Sequence, residues 1–153
     1  MVAFVPVTVE ALAALPTAPL AGPVPAFAVT TGLCETFSLT PADDEEAERT
    51  ALLLAGLSSL MTTGRRLVLV VESRATDEGG GLGECSLASV AWRDVSAIFA
   101  DAPDAAQAVR DAASATAGLD LDAAWDVTAV QALLSEHDPL WFGPEEIGVL
   151  TGA

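Results

Sequence analysis

The sequence contains one histidine, His137, set in Ser135-Glu136-His137-Asp138. Imidazole is the side chain whose ordinary pKa suits proton transfer near neutral pH. This tetrapeptide is therefore the first place to look for general acid–base chemistry, with Glu136 or Asp138 orienting the ring. Such a group also needs a nucleophile, a metal or a positioned substrate beside it. The sequence names none: Ser135 is a chain neighbour, whereas catalytic triads are assembled in space. A simpler account is that His137 closes a helix, where the dipole and two flanking acids favour imidazolium.

Carboxylates offer a second chemistry. Asp120, Asp122 and Asp126 gather at one expected helix start, and Asp122 and Asp126 share a face by their four-residue spacing. Two such groups could hold Mg²⁺ or Ca²⁺ with water completing the shell. No EF-hand pattern accompanies them, and acids at a helix N-terminus are expected in any case; the same holds for Asp43 to Glu46. Cys34 and Cys85 are the two cysteines, far apart and outside any CxxC spacing. They read as buried free thiols, with a disulfide possible only if the fold brings their Cα atoms within about 7 Å, and with a single histidine they make no zinc site. Glu78-Gly-Gly-Gly-Leu-Gly83 lacks the Lys and Ser/Thr of a Walker motif and the spacing of a dinucleotide fingerprint. It leads into a strand rather than a helix, and acids flank it, so it reads as a mobile hairpin tip. No metal and no cofactor is expected.

Trp141-Phe142, between Pro139 and Pro144, has two readings. The pair pins the C-terminal segment to the core, or it stands exposed as an anchor for another protein, a role in which Trp is enriched. Trp141 and Phe142, with Glu145 and Glu146 beside them, are the candidate binding residues. Trp92 and Trp125 sit within expected elements and read as core.

The stretch Glu136-His137-Asp138-Pro139-Leu140-Trp141-Phe142-Gly143-Pro144-Glu145-Glu146 resembles the C-terminal signature of a family of small, acidic, Ala-rich actinobacterial proteins classed as a domain of unknown function. That signature runs His-x-x-Leu-Trp-aromatic-x-Pro-x-Glu. The opening Phe4-Val5-Pro6-Val7-Thr8 and the strand Ala26-Phe27-Ala28-Val29-Thr30 are similar to the same family. The family's tails run roughly His-Glu-Leu-Leu-Trp-Tyr-Ala-Pro-Gln-Glu; here Asp138-Pro139 stand in place of Glu-Leu, and Phe142 in place of Tyr. The resemblance implies a bacterial cytoplasmic protein, brings no activity or cofactor, and singles out His137, Trp141, Pro144 and Glu146.

Charge narrows the partners. Twenty-two acidic residues against six arginines leave a net charge of −16. Nucleic-acid affinity depends on neutralising phosphates with basic side chains, so nucleic acid is excluded. Anionic membrane surfaces are disfavoured on the same ground. A basic protein partner is favoured. The first 29 residues carry Glu10 as their sole charge, but they lack a basic start and five prolines interrupt every apolar run. They fit neither an export signal nor a membrane span, and the protein reads as cytoplasmic.

The elements that must position these residues follow from local pattern. Met1 to Val9 reads as a strand, with Pro6 suggesting an edge or a bulge. Thr8 caps a short helix over Val9 to Leu15, Pro16 to Pro25 is a loop, and Pro25 to Thr30 is a second strand. Gly32 to Leu39 is ambiguous. Thr40-Pro41-Ala42-Asp43 resembles a capping box, acids fill the first turn, and Ala47, Leu53, Leu54, Leu57, Leu60 and Met61 form an apolar stripe ending at Gly64. Leu67 to Val71 is a strand buried on both faces. Thr76 to Gly83 is a turn, followed by strands at Ser86 to Trp92 and Val95 to Ala100. Helices follow from Pro103 to about Ala115 and from Leu121 to about Glu136, and Gly143-Pro144-Glu145-Glu146 begins a last short one.

This order predicts one α/β domain over residues 1–153, built on a single mixed sheet of about five strands with helices packed against it; an α+β description fits nearly as well. The leading functional expectation is a non-catalytic protein-binding or regulatory module, in one form an inhibitor or immunity-like protein shielding a basic target. The alternatives are a small enzyme using His137, and a homo-oligomer formed through an exposed strand edge or the Trp141-Phe142 segment.

Overall fold

The computed structural model describes residues 1–152. Seven strands form one sheet: β1 (Val2–Pro6), β2 (Leu20–Ala28), β3 (Leu67–Glu72), β4 (Ala75–Asp77), β5 (Glu84–Val90), β6 (Val95–Ala100) and β7 (Leu140–Phe142). Seven α-helices accompany them: α1 (Val9–Ala14), α2 (Thr31–Phe37), α3 (Asp44–Thr63), α4 (Ala106–Ala115), α5 (Leu121–Trp125), α6 (Thr128–Glu136) and α7 (Ile147–Thr151). The strand order is β4-β5-β2-β1-β3-β6-β7, and every neighbouring pair is antiparallel.

The α/β class stands, with seven strands in place of about five and without the parallel pairs of a mixed sheet. The helical crossover from β2 to β3 does return the chain in the same direction, because both strands are antiparallel to β1. The two are not neighbours: β1 lies between them. Direction followed from the crossover, and adjacency did not.

The sheet is strongly curled. Four strand spacings separate β3 from β4, which would be about 19 Å in a flat sheet. Only Ser73 and Arg74 join them, and the step from Glu72 to Ala75 reaches at most about 11 Å. The sheet must therefore fold round on itself. Its inner face holds Ala3, Val5, Ala26, Leu67, Leu69, Leu87 and Ile98, all buried, with Leu12 of α1, Leu15 just after it, and Ile147 and Leu150 of α7 in the same cluster. Small residues such as Ala3, Ala26 and Ala28 suit the tight side of this curl.

The outer face carries Phe4, Phe27 and Val68 against Ala51, Leu52, Leu54 and Ala55 of α3, with Leu33 of α2. The far side of α3 presents Leu57 and Leu60 to a second helical layer made by α4, α5 and α6. A helix between two layers needs apolar residues on most of its circumference, and α3 has them. Its start matches the expected box in part: the Thr40 amide and hydroxyl both donate to Asp43 Oδ2, at 2.8 and 2.9 Å. These bonds, the amide first, hold the Asp43 carboxyl below its ordinary pKa. The stabilisation it confers is thus complete above the ordinary carboxylate range and lost as pH falls through the depressed folded value. An NMR titration should find Asp43 among the most acidic carboxyls, and Thr40→Val should move it back toward the ordinary value.

Several elements differ in extent from their sequence reading. β2 begins at Leu20 and runs through Pro23 and Pro25. Beyond Phe27 and Ala28 it has a partner on one side only, β5, and a bulge lies between Ala21 and Val24. Proline lacks a donor and is tolerated at such half-edges. The expected helix from Leu121 to Glu136 is broken in two at Asp126 and Val127, and the Gln131 side-chain amide donates to the Trp125 carbonyl there. Trp92 lies in a 3₁₀ turn rather than a strand. Most of α2 (Thr31–Phe37) falls within the ambiguous Gly32 to Leu39, and the helix is capped by Thr30, whose hydroxyl accepts from the Leu33 amide at 3.1 Å.

One charged residue lies deep inside. The Arg66 side chain is 2% exposed and its Nε donates to Asp101 Oδ1 at 2.6 Å. The Arg66 amide donates to Asp101 Oδ2 at 2.9 Å, and Nη2 to the His137 carbonyl at 2.9 Å. This clamp ties the start of β3 to the end of β6 and to the end of α6, from which β7 departs.

Candidate functional site

The C-terminal candidates are adjacent in sequence and differ in what they meet. The His137 amide closes α6 by donating to the Leu133 carbonyl, and its own carbonyl accepts from Arg66. The imidazole is half-buried and, among the described residues, has no hydrogen-bond partner. Asp138 turns to α3, where Arg49 Nη2 donates to its Oδ1 at 2.6 Å. Glu136 is exposed. The structure does not bring His137, Glu136 and Asp138 into one constellation.

Trp141 and Phe142 part company because they are successive residues of a strand, and successive strand side chains point to opposite faces. Phe142 pairs with Ile98 and packs on the inner-face core. Trp141 pairs with Phe99 on the outer face and is 59% exposed. Of the dipeptide, Phe142 is thus held on the core and Trp141 stands exposed. Glu146 Oε2 accepts from the Gly143 amide at 2.8 Å and shapes the turn into α7, while Glu145 is exposed.

Trp141 stands at the end of an open groove of about 380 Å³. Its floor is built by register. Val2 and Phe4 on β1, Val70 on β3 opposite Phe4, Phe99 on β6 and Trp141 on β7 all lie on the outer face. Its wall is Glu45, Glu48, Arg49 and Leu52 of α3, the i, i+3, i+4, i+7 stripe that one helix face presents. The floor is apolar. On the wall, Arg49 is already paired with Asp138, whereas Glu45 and Glu48 have no ion-pair partner among the described residues. The groove therefore joins an apolar bed to an uncompensated acidic edge. Glu45, Glu48, Val70 and Phe99 were missed as site residues in the sequence; Trp141 was not. The i, i+3, i+4 spacing of Glu45, Glu48 and Arg49 is visible there, but not which way that face points.

The Gly-rich loop is packed rather than free. The Gly79 amide donates to Asp77 Oδ1 and the Leu82 amide to Glu84 Oε1, both at 2.7 Å. The chain's own carboxylates thus occupy amides that a phosphate loop would offer to its ligand. Leu82 is buried in the outer-face core. Gly32 of α2 comes so close that a Cβ there would collide with the Gly80 carbonyl. The expectation of a mobile tip gives way to a tip folded against α2. Asp120 is a helix cap, accepting from the Ala123 amide at 2.8 Å, and Asp122 and Asp126 are exposed. Among the described residues no group of three or more His, Cys, Asp or Glu is placed to hold a metal ion, and no helix is long and apolar enough to cross a membrane.

Both cysteines are free; Cys85 is buried and Cys34 half-buried. Burial first, then the nearby Asp77 and Glu78 charges, push the Cys85 thiol up to about 11. Since the thiolate is the reactive form, iodoacetamide at pH 8 should label Cys34 in the folded protein and leave Cys85 unmodified. Mass spectrometry should find both labelled after denaturation.

A family model described as a family of unknown function (DUF6912) matches residues 1–151. No curated protein and no solved structure matches the chain.

Proposed function

The chain belongs to this family of unknown function, and we propose that the protein is a non-catalytic protein-binding module, regulatory in kind, that contacts its partner through the groove between α3 and the β1-β3-β6-β7 face. One observation carries the reading: Trp141 is 59% exposed at the end of an apolar bed rather than buried in a core. Tryptophan burial is strongly favourable in water and Trp dominates interface hot spots. A Trp held open on a paired strand, beside half-buried Val70 and Phe99, has the form of a contact residue awaiting its partner.

The electrostatics agree. A net charge of −16, with Glu45 and Glu48 lacking an ion-pair partner among the described residues, favours a basic partner and opposes association of two copies through this face. The enzymatic alternative asks for more than is present: His137 lines no part of this groove, and Asp138 is engaged by Arg49. Two free cysteines accord with a cytoplasmic location.

The test places a photo-crosslinking phenylalanine at position 141 in the full chain in its native cells, with the same residue at Val149, 73% exposed on α7, as control. A discrete protein adduct specific to position 141 is expected. Identical adduct patterns from the two positions, or none from either, would overturn the reading.

A further inference from the structure

Building on that protein-binding reading, we infer that the groove receives a basic amphipathic helix of the partner, laid on the sheet beside α3 with its apolar stripe on Val70, Phe99 and Trp141 and its Lys or Arg side chains facing Glu45 and Glu48. Three lines of geometry lead there.

The first is width. From β3 to β7 the floor spans two strand spacings, about 10 Å, which is the diameter of a helix with its side chains. α3 already packs on the neighbouring half of the same face. The uncovered half has the dimensions of a second helix in the same layer. The second is reach. A strand added to the free edge of β7 would lie three spacings from β3, about 14 Å, and could not cover Val70. A helix above the sheet touches Val70, Phe99 and Trp141 at once through an i, i+3, i+4, i+7 stripe. The third is charge. Glu45 and Glu48 lie on one face of α3 toward the groove, and neither has an ion-pair partner among the described residues. A helix seated beside α3 places one flank along that face, where cationic side chains are attracted and acidic ones repelled. A second copy of this acidic chain meets the same field with the wrong sign.

The experiment uses the full chain and three labelled 18-residue probes, read by fluorescence anisotropy at fixed moderate salt. One is an amphipathic Leu/Lys helix, the second has the same apolar stripe with Glu for Lys, and the third is the Leu/Lys sequence with two central prolines. The Leu/Lys helix should bind, the Leu/Glu helix should not, and the proline-broken probe should bind at least tenfold more weakly. Glu45→Arg with Glu48→Arg should weaken Leu/Lys binding at least tenfold. Asp104→Arg with Asp111→Arg makes the same net change at exposed sites outside the groove and should alter it no more than twofold.

Equal effects of the two reversals would mean general charge attraction and overturn the inference, as would a proline-broken probe binding like the helix. In either case a position-141 adduct would leave the protein-binding reading standing. Identification of the cross-linked partner segment gives an independent check, since an acidic segment, or one without helical apolar periodicity, would overturn the helix while keeping the module.

Discussion

Arg66→Met is expected to lower the unfolding free energy by about 3–5 kcal/mol, the range for removing one member of a buried ion pair. Arg66 and Asp101 have side-chain exposures of 2% and 16%, so little solvent screens them. Taking the guanidinium away leaves the Asp101 carboxylate charged with neither Nε donor nor counter-ion, and leaves the His137 carbonyl without its donor. Methionine can still fill the apolar path of the stem, which packs on Gly56, where a Cβ would lie 3.4 Å from Arg66 Cδ. The loss is therefore electrostatic rather than a cavity effect.

Urea denaturation should report the change as a lower midpoint at unchanged slope. The double variant Arg66→Met/Asp101→Asn should recover part of it, because the stranded charge is gone. A loss below about 1 kcal/mol, the level of an exposed pair, would mean that the clamp is solvated. Since the clamp also holds the carbonyl that precedes β7, amide exchange at Leu140–Phe142 should accelerate in the variant. Arg66 Nη1 is buried and has no hydrogen-bond partner among the described residues; this orphan donor makes the net worth of the pair smaller than the penalty for breaking it.

Trp141→Ala is expected to leave stability within about 0.5 kcal/mol, as exposed surface substitutions do, and to weaken partner binding at least about 30-fold, the equivalent of a hot spot worth 2 kcal/mol or more. The asymmetry is what distinguishes a contact residue from a structural one. Phe142→Ala should show the reverse pattern, because its ring, like Ile147 and Leu150, packs against the inner-face core. Unfolding midpoints and affinity for the cross-linked partner, measured on both variants, make the comparison. Were Trp141→Ala to destabilise the fold as much as Phe142→Ala while leaving affinity intact, the groove would lose its standing as the site.

How much of this was legible in the chain depended on range. α3 could be read from Thr40 to Gly64 because its cap, its acidic first turn and its apolar stripe are all local signals. β3 could be read because five consecutive apolar residues fit a doubly covered strand. β4 and β7, three residues each, could not. Segments that short have no pattern of their own and are strands only because β5 and β6 offer an edge. The same holds for the prolines of β2, which look like loop residues until one sees that one side of the strand is open.

The candidate residues divide along the same line. Trp141 drew attention by its type, and the separation of Trp141 from Phe142 follows from strand alternation once Leu140–Phe142 is known to be paired. Arg66, next to the exposed Arg65, gave no sign of being the most deeply held charge, because its partner Asp101 is thirty-five residues away. Glu45 and Glu48 read equally well as a solvated helix face.

What the sequence alone determined was the acidity, the character of the main helix and strands, and the want of any complete cofactor motif; each is written in composition or in neighbours within a few positions. Strand order, the curl, the burial of Arg66 and the groove beside α3 were decided by tertiary structure. They depend on which distant segments share one sheet face, and that choice is made by packing the whole chain at once.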